Sequence, residues 1–351
     1  MDLPPELVRE ILLRLPVKSL VRFKCVSKQW LSLLSDSHFA ESHFDLATNN
    51  NNNKLMYLSS DCSKVYSVKI TGTSLHHDNT VQLHSTCNHE STRIVGSCRG
   101  FLLLQKGTVL VLWNPVTDFH TMVIYPSIKD YYFPCSYFFT GGVGYEKSND
   151  DYLIVIGMIK SMVTPCWKYF SVRTNSWKEI EGGDRFGPCF CHNDRFGLVY
   201  NDAIHWLTLY IDSDYQLSLV IVAFDTATKT LSEIPLPCPL STRKNSELGL
   251  LGGRGCFGIY NQQEIWVMKE YKVESSWTKL NILLLFPSYR SMIPLCFGDS
   301  GDEVVCRKDK NKELVKFSKK GILGKCGLNC CKHDPIVITF TESLFSLPSS
   351  Y

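Results

Sequence analysis

The chain has 351 residues, 44% apolar and 20% charged, with 37 basic against 34 acidic side chains. That composition supports a packed core and excludes wholesale disorder. A net charge of +3 lacks the one-signed field of a dedicated nucleic-acid binder, so no nucleic-acid partner is expected. No apolar run approaches the roughly 20 residues that span a bilayer, so no membrane partner is expected either. Fifteen cysteines form an odd set without framework spacing. The start Met1-Asp2-Leu3-Pro4-Pro5-Glu6 is acidic and proline-bearing, wrong for a secretory signal. Reduced thiols and a place in the cytoplasm or nucleus are the expectation.

Residues 1–45 are rich in Leu, Val and Arg/Lys and contain no Gly. Pro4 and Pro5 suit the first turn of a helix, where the missing N–H is not needed. Leu7, Val8, Ile11, Leu12 and Leu15 then follow helical spacing on one broad face, with Leu13 outside it. Pro16 stops that helix. A second helix runs from Val17 through Leu20, Val21 and Phe23. Ser27 is the N-cap expected for a third, carrying Trp30, Leu31 and Leu34. Residues 1–45 therefore read as a small helical domain. The asparagine tract that follows predicts a flexible linker over 46–54.

From residue 55 to 351 the period changes. Short strand-like runs such as Val109 to Trp113, Tyr152 to Ile159 and Leu217 to Phe224 alternate with Gly, Asn, Asp and Pro turns. A degenerate repeat is visible in Trp113-Asn114-Pro115-Val116-Thr117, Phe170-Ser171-Val172-Arg173-Thr174 and Phe224-Asp225-Thr226-Ala227-Thr228. Its interval is near the kelch-like length of about 50 residues, which gives about six blades. One four-stranded blade cannot cover its own apolar faces, so blades stack in a ring. The run from Ile336 to Leu347 is expected to close that ring on the first blade. The fold class is thus α+β multidomain: a helical head followed by an all-β kelch-like propeller.

The head carries more large apolar side chains than three short helices bury among themselves. Either another protein completes it or it packs on the β domain, and the pattern alone leaves both open. The run Leu3-Pro4-Pro5-Glu6-Leu7-Val8, then Ile11-Leu12-Leu13-Arg14-Leu15-Pro16-Val17-Lys18-Ser19-Leu20, then Arg22-Phe23-Lys24-Cys25-Val26-Ser27-Lys28-Gln29-Trp30 resembles an F-box. It is most similar to plant proteins whose C-terminal part is an F-box-associated, kelch-like domain. In the β region the likeness rests on Ser97-Cys98-Arg99-Gly100-Phe101, Leu112-Trp113-Asn114-Pro115-Val116-Thr117 and Phe340-Thr341-Glu342-Ser343-Leu344. The resemblance implies a non-catalytic adaptor: the substrate-recognition subunit of a Skp–cullin–F-box ubiquitin ligase. The helices would dock on a Skp-family adaptor, and through it on cullin and RING subunits, while the propeller captures a target protein. By that resemblance Leu3, Pro4, Leu7, Ile11, Leu12, Leu15, Pro16, Val17, Leu20, Val26 and Trp30 are docking or core positions. Lys24 and Lys28 lie at the rim. Two other readings are a propeller enzyme with a metal on the central channel, and a scaffold that uses the F-box outside a ligase.

Motifs with a chemical look read otherwise in context. Gly253-Arg254-Gly255-Cys256-Phe257-Gly258 fits G-x-G-x-x-G, but a hairpin pattern follows it where a nucleotide site needs a helix. Gly298-Asp299-Ser300-Gly301 reads as a β-turn. Cys326, Cys330, Cys331 and His333 form only one knuckle, although Cys189, Cys191 and His192 would have to converge for a second. No cofactor or metal is expected. For target contacts, Tyr131, Tyr132 and Phe133 stand out in an aromatic segment between strands.

Overall fold

A computed structural model of the chain describes residues 3–49, 53–59, 61–72, 74–83, 92–107, 109–125, 140–159, 165–187, 196–211, 217–237, 249–253, 256–260, 265–280, 292–297, 303–308, 312–318, 320–328 and 336–347. The head holds four helices: α1 (Pro5–Leu13), α2 (Val17–Phe23), α3 (Lys28–Leu34) and α4 (Ser37–Asn49). Pro4 and Pro16 precede α1 and α2, as their fixed φ favours. The Ser27 hydroxyl accepts the Trp30 N–H at 3.2 Å and so caps α3. An Asp36 carboxylate oxygen accepts the Phe39 N–H at 2.9 Å and does the same for α4. α4 runs on to Asn49, inside the expected linker, and the first strand starts at Lys54. No helix among the described residues is long and apolar enough to cross a membrane.

Six blades follow, blade four with five strands among the described residues. Blade one pairs β1 (Lys54–Leu58), β2 (Lys64–Thr71) and β3 (Ser74–Gln82). Blade two is β4 (Thr92–Cys98), β5 (Phe101–Lys106), β6 (Val109–Trp113) and β7 (His120–Ile124). Blade three is β8 (Thr140–Glu146), β9 (Asp151–Ile159), β10 (Pro165–Ser171) and β11 (Ser176–Glu179). In blade four, β12 (Phe186–Gly187) and β13 (Leu198–Tyr200) share one edge of β14 (Ala203–Ile211), followed by β15 (Leu217–Asp225) and β16 (Leu231–Ile234). Blade five is β17 (Gly249–Gly253), β18 (Cys256–Tyr260), β19 (Ile265–Met268) and β20 (Trp277–Leu280). Blade six is β21 (Met292–Phe297), β22 (Val304–Lys308), β23 (Glu313–Ser318) and β24 (Gly321–Gly327). The last strand, β25 (Val337–Phe340), returns to blade one and pairs antiparallel with β1, from Lys54↔Phe340 to Tyr57↔Val337. The ring closes as the sequence predicts.

Among the described residues, six apolar clusters fill the six gaps between neighbouring blades. Both faces of each sheet are therefore covered. That is why strands such as β5 and β9 read as unbroken apolar runs instead of alternating ones. The repeat seen in the sequence is a shared turn. Asn114 Oδ1 accepts the Val116 N–H at 3.0 Å, Ser171 Oγ accepts the Thr174 N–H at 3.1 Å, and Asp225 Oδ1 accepts the Ala227 N–H at 2.9 Å. Four residues after each, Asp118, Asn175 and Lys229 take positive φ of 59°, 50° and 58°. Toward the axis, the inner strands of blades two, three and four meet on bare backbone. A Cβ on Gly142 would sit 2.8 Å from Ile204 and 3.0 Å from the Gly197 Cα.

His205 on β14 is buried between blades four and five. Its Nε2 lies 2.7 Å from the Tyr271 hydroxyl and its Nδ1 3.1 Å from the Leu198 carbonyl. Burial, with Lys272 adding repulsion, lowers its pKa from 6.5 to about 4. The unfolded chain therefore takes up the proton first. Stability is full above about pH 6.5 and falls below it by about 1.4 kcal/mol per pH unit, down to about pH 4. His205→Gln is expected to flatten that part of a pH series of urea midpoints. An unchanged slope in the variant would show that His205 is not the responsible group.

Candidate docking site

The head has an inner and an outer apolar side. Leu12, Leu13, Val17, Leu20, Leu34 and Phe39 form its core. Arg9 donates to Ser42 Oγ at 3.0 Å and ties α1 to α4. The Leu15 carbonyl accepts from His43 Nε2 at 2.8 Å, which fixes the turn before Pro16 and requires the proton on Nε2. Leu13, outside the broad apolar face read from the sequence, is buried beside Leu12, while Leu7 and Ile11 on that face are each 52% exposed. The physical reason is that α1 is apolar on two sides, and helical spacing does not say which of them the rest of the chain covers.

The core of the head is completed by the end of the chain. Leu344 is buried within it, with Phe345 and Val116 packed alongside. Asn114 Nδ2 donates to the carbonyls of Ser343 and Phe345, each at 3.1 Å. The Ser343 hydroxyl donates to the Arg99 carbonyl at 2.9 Å. Gly100, at φ 81°, is the tip of the β4–β5 turn; a Cβ there would lie 1.9 Å from Ser343 Oγ, so only glycine fits. Arg99 beside it makes a two-pronged ion pair with Glu41, one arm at 3.0 Å. Its guanidinium stacks 4.1 Å from the Tyr145 ring and 4.2 Å from the Phe345 ring. Hydrogen bonding from Arg99 holds the Glu41 carboxyl below the usual carboxylate range. On the far side of the junction, Lys54 pairs with Asp78 and with Glu342 at 2.6 Å. Desolvation of its ammonium is outweighed by those two carboxylates, so its pKa is raised.

The other side of the head is open. Leu3 is 60% exposed, Val26 62% and Leu31 48%, in addition to Leu7 and Ile11. So many large apolar side chains on one small module mark an interaction surface. Pro4, Pro16 and Lys28 are exposed as well, and Leu15, Lys24 and Trp30 are half-buried. Trp30 meets Phe23 edge-on at 5.5 Å, and burial lowers the Lys24 pKa. Leu12, Val17 and Leu20 are core. Residues 1–42 match the family model of the F-box domain, and residues 55–347 match that of the F-box associated beta propeller domain.

The chain belongs to the F-box-associated β-propeller family. An F-box/kelch-repeat protein of Arabidopsis thaliana is 28% identical over 295 residues, covering 80% of this chain and 79% of that one. The F-box protein CPR1 of the same plant is 29% identical over 347 residues, covering 90% and 80%. Leu31 is the exposed apolar residue of the F-box that sequence reasoning left out of the docking set. The sequence reading placed it on the third helix with Trp30 and Leu34 and gave it no docking role.

Tyr131, Tyr132 and Phe133 lie outside the described residues. So do Cys189, Cys191, His192, Cys330, Cys331 and His333. Cys326 is a buried free thiol on β24, and the described residues hold no group of three metal-type ligands. Gly253 ends β17 and Cys256 begins β18 in one antiparallel hairpin, so the G-x-G-x-x-G run lacks the helix that phosphate binding needs.

Proposed function

We propose that this F-box protein is the substrate-recognition subunit of a Skp–cullin–F-box ubiquitin ligase, non-catalytic itself and working in the cytoplasm or nucleus. The observation that carries the reading is the open side of the F-box. Leu3, Leu7, Ile11, Val26 and Leu31 remain exposed although the opposite side is already sealed by Leu344. A Skp-family adaptor covers that side, with Lys28 at the rim. The propeller holds a target protein, and the adaptor links the F-box to cullin and RING subunits. Because the head is seated on the ring by Arg99, Asn114 and Leu344, a bound target keeps a fixed distance from the ligase. Its lysines then meet the ubiquitin-conjugating enzyme at high effective concentration.

Co-purification of the full chain with a recombinant Skp-family adaptor tests this. Leu7→Asp together with Ile11→Asp is expected to weaken binding by about 100-fold or more. The unfolding midpoint should barely move, because both side chains are on the surface. Leu12→Asp is the wrong probe, since Leu12 is 1% exposed and the change would unfold the head. A wild-type chain that ignores the adaptor, or a double variant that binds as tightly as wild type, overturns the proposal.

A further inference from the structure

Among the described residues, each blade ends on an outer strand with one neighbour in its sheet: β3, β7, β11, β16, β20 and β24. Open edges of this kind template association unless charged side chains block it. On five of the six the block is present: exposed Asp78 on β3, Lys178 on β11, Glu233 on β16, Lys279 on β20 and Lys325 on β24. The exception is β7, His120-Thr121-Met122-Val123-Ile124, which has no Asp, Glu, Lys or Arg. Met122 is 62% exposed and Ile124 75%, with Phe119 at 41% just before them. Two residues apart, Met122 and Ile124 share one face, while Val123 turns into the cluster between blades two and three. Next to Met122 a cavity of about 120 Å³ opens, with Leu83, Leu104, Val111 and Trp113 in its wall beside the charged Lys106 and Asp118. The backbone groups of Thr121 and Val123 bond to β6, and the Trp177 indole N–H donates to the Ile124 carbonyl at 3.0 Å, so among the described residues the outward groups left open on this edge are those of His120 and Met122 and the Ile124 N–H.

The size of this surface selects its occupant. A five-residue strand is ~17 Å long, and a stable contact between folded proteins covers about 800 Å² on each partner. One strand edge does not supply that for a second copy of the chain. It does supply what an extended peptide needs: a row of backbone groups and a pocket for an alternate side chain. We infer that the outer edge of blade two binds an extended segment of another protein as a fifth strand. The segment carries apolar side chains at alternate positions, one of them seated in the cavity beside Met122. This inference rests on the edge alone and does not require adaptor docking.

The test uses the full chain and a fluorescein-labelled heptapeptide of alternating threonine and valine, beside a twin N-methylated at every residue. The expected result is saturable binding of the first peptide by anisotropy, with new hydrogen-exchange protection confined to the outward amides of 120, 122 and 124. The twin should bind at least about tenfold more weakly. Met122→Lys with Ile124→Lys should cost a similar factor, whereas Leu7→Asp with Ile11→Asp should leave peptide binding unchanged. That last variant separates this inference from the ligase reading. Absence of binding, equal binding of the twin, or protection located elsewhere overturns it. So does a free chain whose 120 and 122 amides, which face away from β6, are already protected. If the lysine pair instead dissolves a self-associated species in sedimentation, the occupant is a second copy and the peptide assignment is wrong.

Discussion

Lys316→Ala is expected to destabilise the ring by about 3–5 kcal/mol, the range for removing one member of a buried ion pair. Lys316 lies on β23 and is 0% exposed. Its ammonium sits 2.9 Å from a Glu303 carboxylate oxygen and donates to the Gly72 carbonyl at the β2–β3 turn. One side chain thus fastens blade six to blade one, beside the seam that β25 closes. Truncation takes the cation from a carboxylate that is itself only 17% exposed. It also takes a donor from the Gly72 carbonyl and opens a void. Lys316→Met keeps most of the packing, so the difference between the two variants separates charge from volume. Pairing Lys316→Met with Glu303→Gln should recover part of the loss, because no carboxylate is then left facing an apolar side chain. Urea midpoints at constant m-value read all three. A loss below about 1 kcal/mol for Lys316→Ala would mean that the pair is solvated in solution.

The second large effect is expected at Arg99. Arg99→Ala removes the two-pronged bond to Glu41 and the stacks on Tyr145 and Phe345 together. Charge-assisted hydrogen bonds contribute about 1.5–3 kcal/mol. A desolvated guanidinium on aromatic rings adds about 2. Glu41 is 45% exposed and regains water, which offsets part of this. A net loss of about 3 kcal/mol remains. Arg99→Lys should rescue little, because an ammonium neither forks nor stacks as a plane. The signature that distinguishes a junction from an ordinary core residue is regional. Hydrogen-exchange protection of 341–347 and of α4 should fall before that of β9 or β15. Uniform loss of protection across all blades would contradict this role for Arg99.

Much of the architecture was legible because local chemistry fixes it. Pro4, Pro16 and Ser27 mark helix starts by backbone geometry and capping, and those signals hold without knowledge of the neighbours. The turn built on Asn114, Ser171 and Asp225 needs a side-chain acceptor followed by a residue that tolerates positive φ, so it left a repeat in the sequence. What stayed hidden depends on contacts between distant segments. Arg99 is an ordinary turn residue until Glu41 and Phe345 arrive from opposite ends of the chain. Leu13 is an unremarkable apolar residue until Leu344 reaches the head. The broken inner strand of blade four, β12 and β13, has too few residues in each piece for any period to show. The candidate docking set was legible from its likeness to the F-box, but which of its members face outward was not.

Leu344 and Phe345 carry one more implication, concerning synthesis. The helices leave the ribosome before the six blades, and the residues that finish their interior emerge only after them. Ring closure by β25 waits for the same stretch. A prematurely terminated product therefore has neither a sealed ring nor a seated head. Its head leucines stay in contact with water, which leaves such a product prone to aggregation.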